Sequence, residues 1–167
     1  LMSERYVQYA VESGFATITL DSPHNRNALS SKLVTELLDG LRAAADDPAV
    51  RGIVLTHTGG TFCAGADLKE AVDADPAAAA DKRTRWMIDV LRLLIAVPKP
   101  VVAVLRGPAR AGGVGLAAAC DVVVASYDEL TGFGLEDLAG TTVVSSAISP
   151  ERLAELGSRG VDRRCWC

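Results

Sequence analysis

The sequence predicts an α/β fold built on a parallel sheet. Residues 50–56 are rich in apolar, β-branched side chains, and residues 101–105 and 122–125 are short apolar runs typical of strands buried on both faces. Segments with helical spacing separate these runs, and the alternation of strand and helix favours parallel pairing. Hydrophobic residues make up 49% of the chain and aromatics only 5%, so Ala, Val, Leu and Ile must form the core.

Composition excludes several classes of protein. A length of 167 residues suits one domain, and we expect residues 1–167 to form it. The formal net charge of −4 argues against a nucleic-acid or anionic-membrane surface, and no apolar run is long enough to span a bilayer. The four cysteines do not form a disulfide framework and the N-terminus has no signal pattern, so we expect a cytoplasmic protein.

The first elements are predicted to be a hairpin and a helix. Residues 6–11 and 15–20 are β-rich runs separated by a Glu-Ser-Gly turn. Ser30 or Ser31 is a suitable helix cap, and leucines then recur every four residues. The helix should end before Pro48.

The middle of the chain is predicted to contain two helices of unequal length. Residues 67–72 should form a short helix, residues 73–80 a mobile connection, and residues 82–97 a longer helix ended by Pro98. After residue 126 the character changes: residues 127–134 lack a clear period, residues 138–148 are small and polar, and the last ten residues resemble neither a cap nor a closing strand.

Two glycine-rich turns follow predicted strands. One lies within residues 58–70 (TGGTFCAGADLKE), and the other precedes a helix that opens at Gly112. A helix start leaves backbone N–H groups without partners, and these donors favour an oxygen that carries negative charge. Two such turns could direct two N–H groups at one carbonyl oxygen and form an oxyanion hole. Ordinary tight turns, in which glycine is the usual residue, explain the spacing equally well.

Other motifs point to structure more than to chemistry. Residues 113–118 match the dinucleotide fingerprint, but six residues separate them from the preceding strand. His24 and His57 have no ligand-spaced partner, so we expect no metal site. Cys63 precedes a helix start, which could lower its pKa, although a packing role is the favoured interpretation.

Three acidic residues need separate interpretations. Asp67 stands in the first turn of a predicted helix, where an acid stabilises the helix dipole by about 0.3–1 kcal/mol. Glu136 and Asp137 follow a Phe-Gly-Leu sequence, and their spacing alone is typical of solvated surface acids.

In combination and order, these motifs resemble those of the enoyl-CoA hydratase/isomerase (crotonase) family. The matching pieces are SPHNRNALS, TFCAGADLKE, PKPVVAVLRGPARAGGVGLAAACDVVVA and, weakly, FGLED. Residues 1–125 correspond to the family core, whereas residues 126–167 form an atypical tail. The resemblance implies a crotonase-like spiral of ββα units, incomplete at the C-terminus, that assembles as a trimer or hexamer. It also implies acyl-CoA thioester substrates and no separate cofactor, because coenzyme A is part of the substrate.

The resemblance also assigns roles to individual positions. The oxyanion N–H groups would be those of Ala66 and Gly112. The positions implied to bind substrate are Arg26, Ala28, Ala64, Asp67, Leu68 and Gly113.

The catalytic acids depart from the family pattern. Family hydratases use two glutamates as general acid and base, and Gly115 occupies the first of these positions. The second corresponds to Asp137 by register or Glu136 by residue type. We therefore predict an enoyl-CoA hydratase, with an isomerase, a hydrolase, a decarboxylase or a non-catalytic CoA-thioester-binding or truncated protein as alternatives.

Overall fold

A computed structural model describes residues 4–71, 76–125, 142–145 and 162–165. Its strands are β1 (Val7–Glu12), β2 (Phe15–Leu20), β3 (Gly52–His57), β4 (Val101–Val104), β5 (Val122–Ala125), β6 (Thr142–Ser145) and β7 (Asp162–Cys165). Its helices are α1 (Ser31–Asp46), α2 (Pro76–Ala96) and α3 (Gly112–Ala118), with 3-10 turns at Pro23–Asn25 and Lys69–Ala71.

The described strands form one sheet in which spatial order follows chain order from β1 to β7. β1 and β2 form the predicted antiparallel hairpin, and every later pair is parallel. Because parallel strands end at the same edge of a sheet, the segments after β3 and β4 are brought side by side. The predicted α/β class with parallel strands is confirmed.

The core lies between the sheet and the helices. Leu33, Leu37 and Leu41 are fully buried on one face of α1, at the helical spacing that the sequence shows. Ser30 caps this helix, since its hydroxyl accepts a hydrogen bond from the Leu33 amide. The aliphatic core that composition predicts is therefore present.

Two predictions for the middle of the chain are wrong. α2 begins at Pro76, so the connection expected at residues 73–80 is helical from residue 76 onward. Proline suits the first helical position and the alanines after it are strong helix formers, which explains the early start. The short helix expected at residues 67–72 is instead the three-residue 3-10 turn Lys69–Ala71.

The described part of the chain after residue 126 contributes two strands to the sheet, although its last ten residues do not resemble a closing strand. β6 pairs with β5, and β7 pairs with β6, each in parallel register. Pairing with a neighbouring strand depends on tertiary context, which local periodicity does not report. No helix in the described ranges is both long enough and apolar enough to cross a membrane.

Candidate active site

The side chain of Asn27 holds the first glycine turn (residues 58–66) in place. Asn27 has 0% of its surface exposed and a left-handed backbone with φ 53°. Its Oδ1 accepts a hydrogen bond from the Ser22 amide at 2.7 Å. Its Nδ2 donates to the carbonyl oxygens of Thr58 at 3.0 Å and Thr61 at 2.8 Å. One amide side chain thus ties the loop after β2 to the turn after β3.

A short parallel backbone bridge directs the Ala66 amide away from Leu29, its partner residue in the bridge. The Leu29 amide donates to the Gly65 carbonyl at 2.7 Å, and the Asp67 amide donates to the Leu29 carbonyl at 3.3 Å. Ala66 lies between Gly65 and Asp67, which both bond to Leu29. In a parallel pairing of this kind, the N–H of the middle residue points away from the partner segment. Within the described ranges, the Ala66 N–H donates to no acceptor.

The second glycine turn (residues 106–113) packs directly on the first. The Arg110 amide donates to the Cys63 carbonyl at 2.9 Å. A Cβ on Gly107 would lie 2.4 Å from the Gly60 carbonyl oxygen, and one on Gly113 would lie 2.6 Å from the Cys63 carbonyl oxygen. Only glycine allows the two backbones to approach this closely.

The start of α3 leaves a second amide free. Ala111 adopts φ 47° and ψ −117°, a conformation that costs a non-glycine residue roughly 1–3 kcal/mol. The Gly113 amide donates to Arg110 and the Val114 amide donates to Ala111, which satisfies two of the first donors of the helix. The Gly112 N–H has no acceptor among the residues that the structure describes.

Ala66 and Gly112 line the same cavity, whose volume is about 340 Å³. Apolar side chains dominate its lining, among them Leu29, Val34, Met87, Ile88, Val90 and Leu116. Arg83 is the one charged side chain in the described lining. Because apolar walls lower the local dielectric constant, a hydrogen bond made to a charged oxygen here is stronger than in water.

Three of the positions implied to bind CoA lie along the backbone bridge. The Ala64 amide donates to the Arg26 carbonyl at 3.1 Å, which brings these two residues together. Asp67 follows them, and its carboxylate accepts from Asn25 Nδ2 and from the Lys69 amide, each at 3.0 Å. Asp67 therefore caps the 3-10 turn rather than the predicted α-helix.

The other three implied positions have unlike surroundings. Leu68 is 72% exposed, whereas Ala28 and Gly113 are buried. Ala28 precedes the backbone bridge, and Gly113 packs against Cys63 behind the second turn. These six implied contacts with substrate stay predictions.

The candidate nucleophile and ligand residues have structural roles. Burial raises the pKa of the Cys63 thiol to about 11, although a hydrogen bond from the Gly65 amide partly opposes the shift. The suggestion of a lowered pKa for Cys63 is therefore wrong, and the packing role is supported.

His57 is buried, and its Nε2 accepts a hydrogen bond from the Arg106 amide at 2.9 Å, which leaves that nitrogen unprotonated. Across the described ranges, no cluster of three or more His, Cys, Asp or Glu side chains could hold a metal ion.

The described lining of the cavity contains no carboxylate. Glu136 and Asp137 lie outside the described residues. Packing does not require glycine at position 115, because a Cβ on Gly115 would meet only Leu91 Cδ2, at an ordinary 3.8 Å.

Two residues that matter to the site, Asn27 and Arg83, are not identified by the sequence motifs. The available signals in the sequence were an asparagine within a loop, for Asn27, and the lack of an acidic residue three or four positions away, for Arg83.

Comparison with known proteins supports the assignment suggested by the motifs. A family model described as Enoyl-CoA hydratase/isomerase matches residues 10–148. A protein of Mycobacterium tuberculosis named probable enoyl-CoA hydratase echA6 is 46% identical over 112 residues, which cover 67% of this chain and 43% of the relative. The 4-chlorobenzoyl coenzyme A dehalogenase-2 of an Arthrobacter species is 36% identical over 126 residues, covering 73% of this chain and 45% of the relative.

Solved structures show the same similarity in three dimensions. An enoyl-CoA hydratase from Mycobacterium avium superposes with a TM-score of 0.66 at 48% identity, covering 74% of this chain and 48% of that one. An enoyl-CoA hydratase from Bacillus anthracis superposes with a TM-score of 0.69 at 28% identity, covering 73% and 48%. The chain spans about half the length of these relatives. Its fold is crotonase-like, and the chain belongs to the enoyl-CoA hydratase/isomerase family.

Proposed function

We propose that this chain binds an acyl-CoA thioester and stabilises the enolate of its carbonyl through the amides of Ala66 and Gly112. The observation that carries the proposal is that both residues line one apolar cavity and that neither amide has a described acceptor. Membership of the family, whose members act on acyl-CoA substrates, supports the choice of ligand.

The reaction we propose first is hydration of a 2-enoyl thioester. Water adds to the β-carbon, and negative charge moves onto the thioester oxygen. Two N–H donors at that oxygen stabilise the enolate more than the neutral carbonyl, which lowers the barrier. Loss of one such donor typically costs about 10²–10³ in rate.

The proposed proton donor and acceptor is Asp137 or Glu136. Hydration requires a proton to leave water and a proton to reach the α-carbon, and one carboxyl group could serve both steps in turn. We further propose that the CoA moiety follows Arg26, Ala64 and the exposed Leu68, with no additional cofactor.

A chemistry with a single acid is the second candidate. Gly115 supplies no carboxylate from α3, and no acid lies in the described lining of the cavity. A relative within the family is named as a dehalogenase, which is a different reaction on a CoA thioester. Isomerisation, hydrolysis, decarboxylation or ligand binding alone are the outcomes to compare with hydration.

The test is calorimetric binding of acetoacetyl-CoA together with turnover of crotonyl-CoA on one sample. We expect binding and hydration, with hydration abolished in a chain carrying both Asp137→Asn and Glu136→Gln. Binding without hydration would favour the second candidate. Full hydration in the double variant would contradict the proposed acids, and no binding at all would contradict the proposal.

The predicted trimer or hexamer and the cytoplasmic location are part of this proposal. The assembly rests on the resemblance to the crotonase family; Leu68 and Ile95, which are 72% and 74% exposed, are apolar side chains that a subunit contact could cover. Light scattering should give a mass of three or six chains, and a monodisperse monomer would contradict the assembly.

A further inference from the structure

Arg83 introduces a positive charge into the otherwise apolar cavity. We propose that Arg83 makes this cavity selective for acyl groups that end in a carboxylate. The inference rests on the proposed binding of a CoA thioester, and it adds the chemical class of the acyl group. It assigns Arg83 to the end of the acyl chain and not to the thioester.

The helix that carries Arg83 offers its guanidinium no carboxylate. Side chains three and four residues away lie on the same helix face, and around Arg83 these positions hold Ala79, Ala80, Trp86 and Met87. Arg83 forms no ion pair with a described residue.

Arg85, two positions further along α2, provides the contrast. Its guanidinium forms an ion pair with Asp81 at 2.5 Å, one turn earlier on the exposed face. Two arginines on one helix thus differ in both location and partner. The exposed arginine has a carboxylate, and the arginine that lines the cavity has none.

The acidic side chains that line a second cavity together with Arg83 accept hydrogen bonds from other groups. Arg83 also lines an adjoining cavity of about 190 Å³ together with Asp67 and Glu70. Asp67 accepts hydrogen bonds from Asn25 and from the Lys69 amide, and Glu70 accepts from the amide and hydroxyl of Ser31.

Lys82 does not duplicate the charge of Arg83. Its Nζ lies 4.6 Å from the centre of the Trp86 ring, in a cation–π contact. Thr84, the neighbour of Arg83 in the lining, uses its hydroxyl to donate to the Ala80 carbonyl at 3.0 Å. Arg83 is therefore the group in this lining that a ligand anion would meet.

The energetics favour an anion at this position. A partly buried guanidinium without a partner loses hydration and gains no compensating hydrogen bond. A planar carboxylate restores two parallel charge-assisted bonds, whereas a methyl terminus leaves the charge unpaired. Loss of a hydrogen bond to a charged group corresponds to a preference of about 10- to 100-fold.

The test compares two thioesters of equal chain length, glutaryl-CoA and pentanoyl-CoA, by calorimetry. The wild-type chain should bind glutaryl-CoA about 10- to 100-fold more tightly. Arg83→Gln should remove this preference by weakening glutaryl-CoA alone, and Arg83→Lys should restore part of it. Arg85→Gln is the matched control on the same helix and should leave both affinities unchanged.

Several outcomes would overturn the inference. Equal affinity of the wild type for the two thioesters would show that the cavity does not select a carboxylate. Equal weakening of both thioesters by Arg83→Gln would place the guanidinium on a phosphate of CoA. Binding of neither thioester by a folded wild-type chain would overturn the proposed function and this inference with it, whereas loss of selectivity alone would leave the proposed function intact.

Discussion

The two glycine turns of the site are held by different means. The first turn is fixed by hydrogen bonds, chiefly those of the buried Asn27 side chain. The second is held by backbone hydrogen bonds to the first and by close contact, because Gly107 and Gly113 lie directly against backbone atoms of the first turn. The first turn should therefore be sensitive to removal of a side chain, and the second to addition of one.

Removal of the Asn27 side chain should have the largest effect. Asn27→Ala leaves the Ser22 amide and the Thr61 carbonyl without a partner. It also removes one of two partners of the Thr58 carbonyl, which also lies 3.2 Å from His57 Nδ1. Unsatisfied buried groups cost about 1–3 kcal/mol each, so we expect a loss of about 3 kcal/mol or more in the free energy of unfolding. Urea unfolding measures it, with Asn25→Ala as the more exposed control. A loss below about 1 kcal/mol would contradict the role assigned to Asn27.

Addition of one methyl group to the second turn should have the next largest effect. In Gly113→Ala the new Cβ would lie 2.6 Å from the Cys63 carbonyl oxygen and 2.7 Å from the Cys63 Cβ. Overpacking of this kind costs about 1–3 kcal/mol, and the turns should separate. The midpoint of urea unfolding should fall, and acetoacetyl-CoA binding should weaken. An unchanged midpoint would show that the two backbones are not in close contact.

Replacement of Gly115 by alanine, two residues later in the chain, should not lower the free energy of unfolding. A Cβ at Gly115 would meet only Leu91 Cδ2, at 3.8 Å. Alanine is also favoured over glycine within a helix by roughly 0.5–1 kcal/mol. We expect Gly115→Ala to raise the free energy of unfolding by up to about this amount, and a loss of stability would contradict the open space at this position.

The thiol between the two turns should have no effect on stability near neutral pH, because its effect is confined to alkaline pH. The pKa of Cys63 is raised from 9.0 to about 11, and burial raises that of Cys120 to about 12. The folded chain keeps these protons where the unfolded chain loses them, so stability should fall as pH rises above 9 and be unaffected below it. The double variant Cys63→Ala, Cys120→Ala should show a shallower decline between pH 9 and 11 than wild type, and parallel curves would contradict the assignment.

The sequence predicted the parts of the fold that depend on neighbouring residues. The hairpin, the capped α1 and the strands before each glycine turn carry local signals of composition, spacing and capping. The family motifs assigned Ala66 and Gly112 to the two glycine turns, because backbone donors follow from chain position rather than from side-chain type, and the role of these two amides stays a prediction.

The parts that sequence could not predict depend on distant contacts. The carbonyl partners of Asn27 lie 31 and 34 residues away, and nothing in the loop sequence identifies them. Arg83 lines the cavity because of how α2 packs there. β6 becomes a strand through its pairing with β5.

The proposed oxyanion hole is tested most directly by infrared spectroscopy, which measures the C=O stretching frequency of a ¹³C-labelled thioester carbonyl in bound acetoacetyl-CoA. Two N–H donors at this oxygen should draw charge onto it and weaken the C=O bond. We expect a shift to lower frequency on binding to the wild-type chain. Tight binding with the carbonyl stretch at its value in water would contradict an oxyanion hole formed by Ala66 and Gly112.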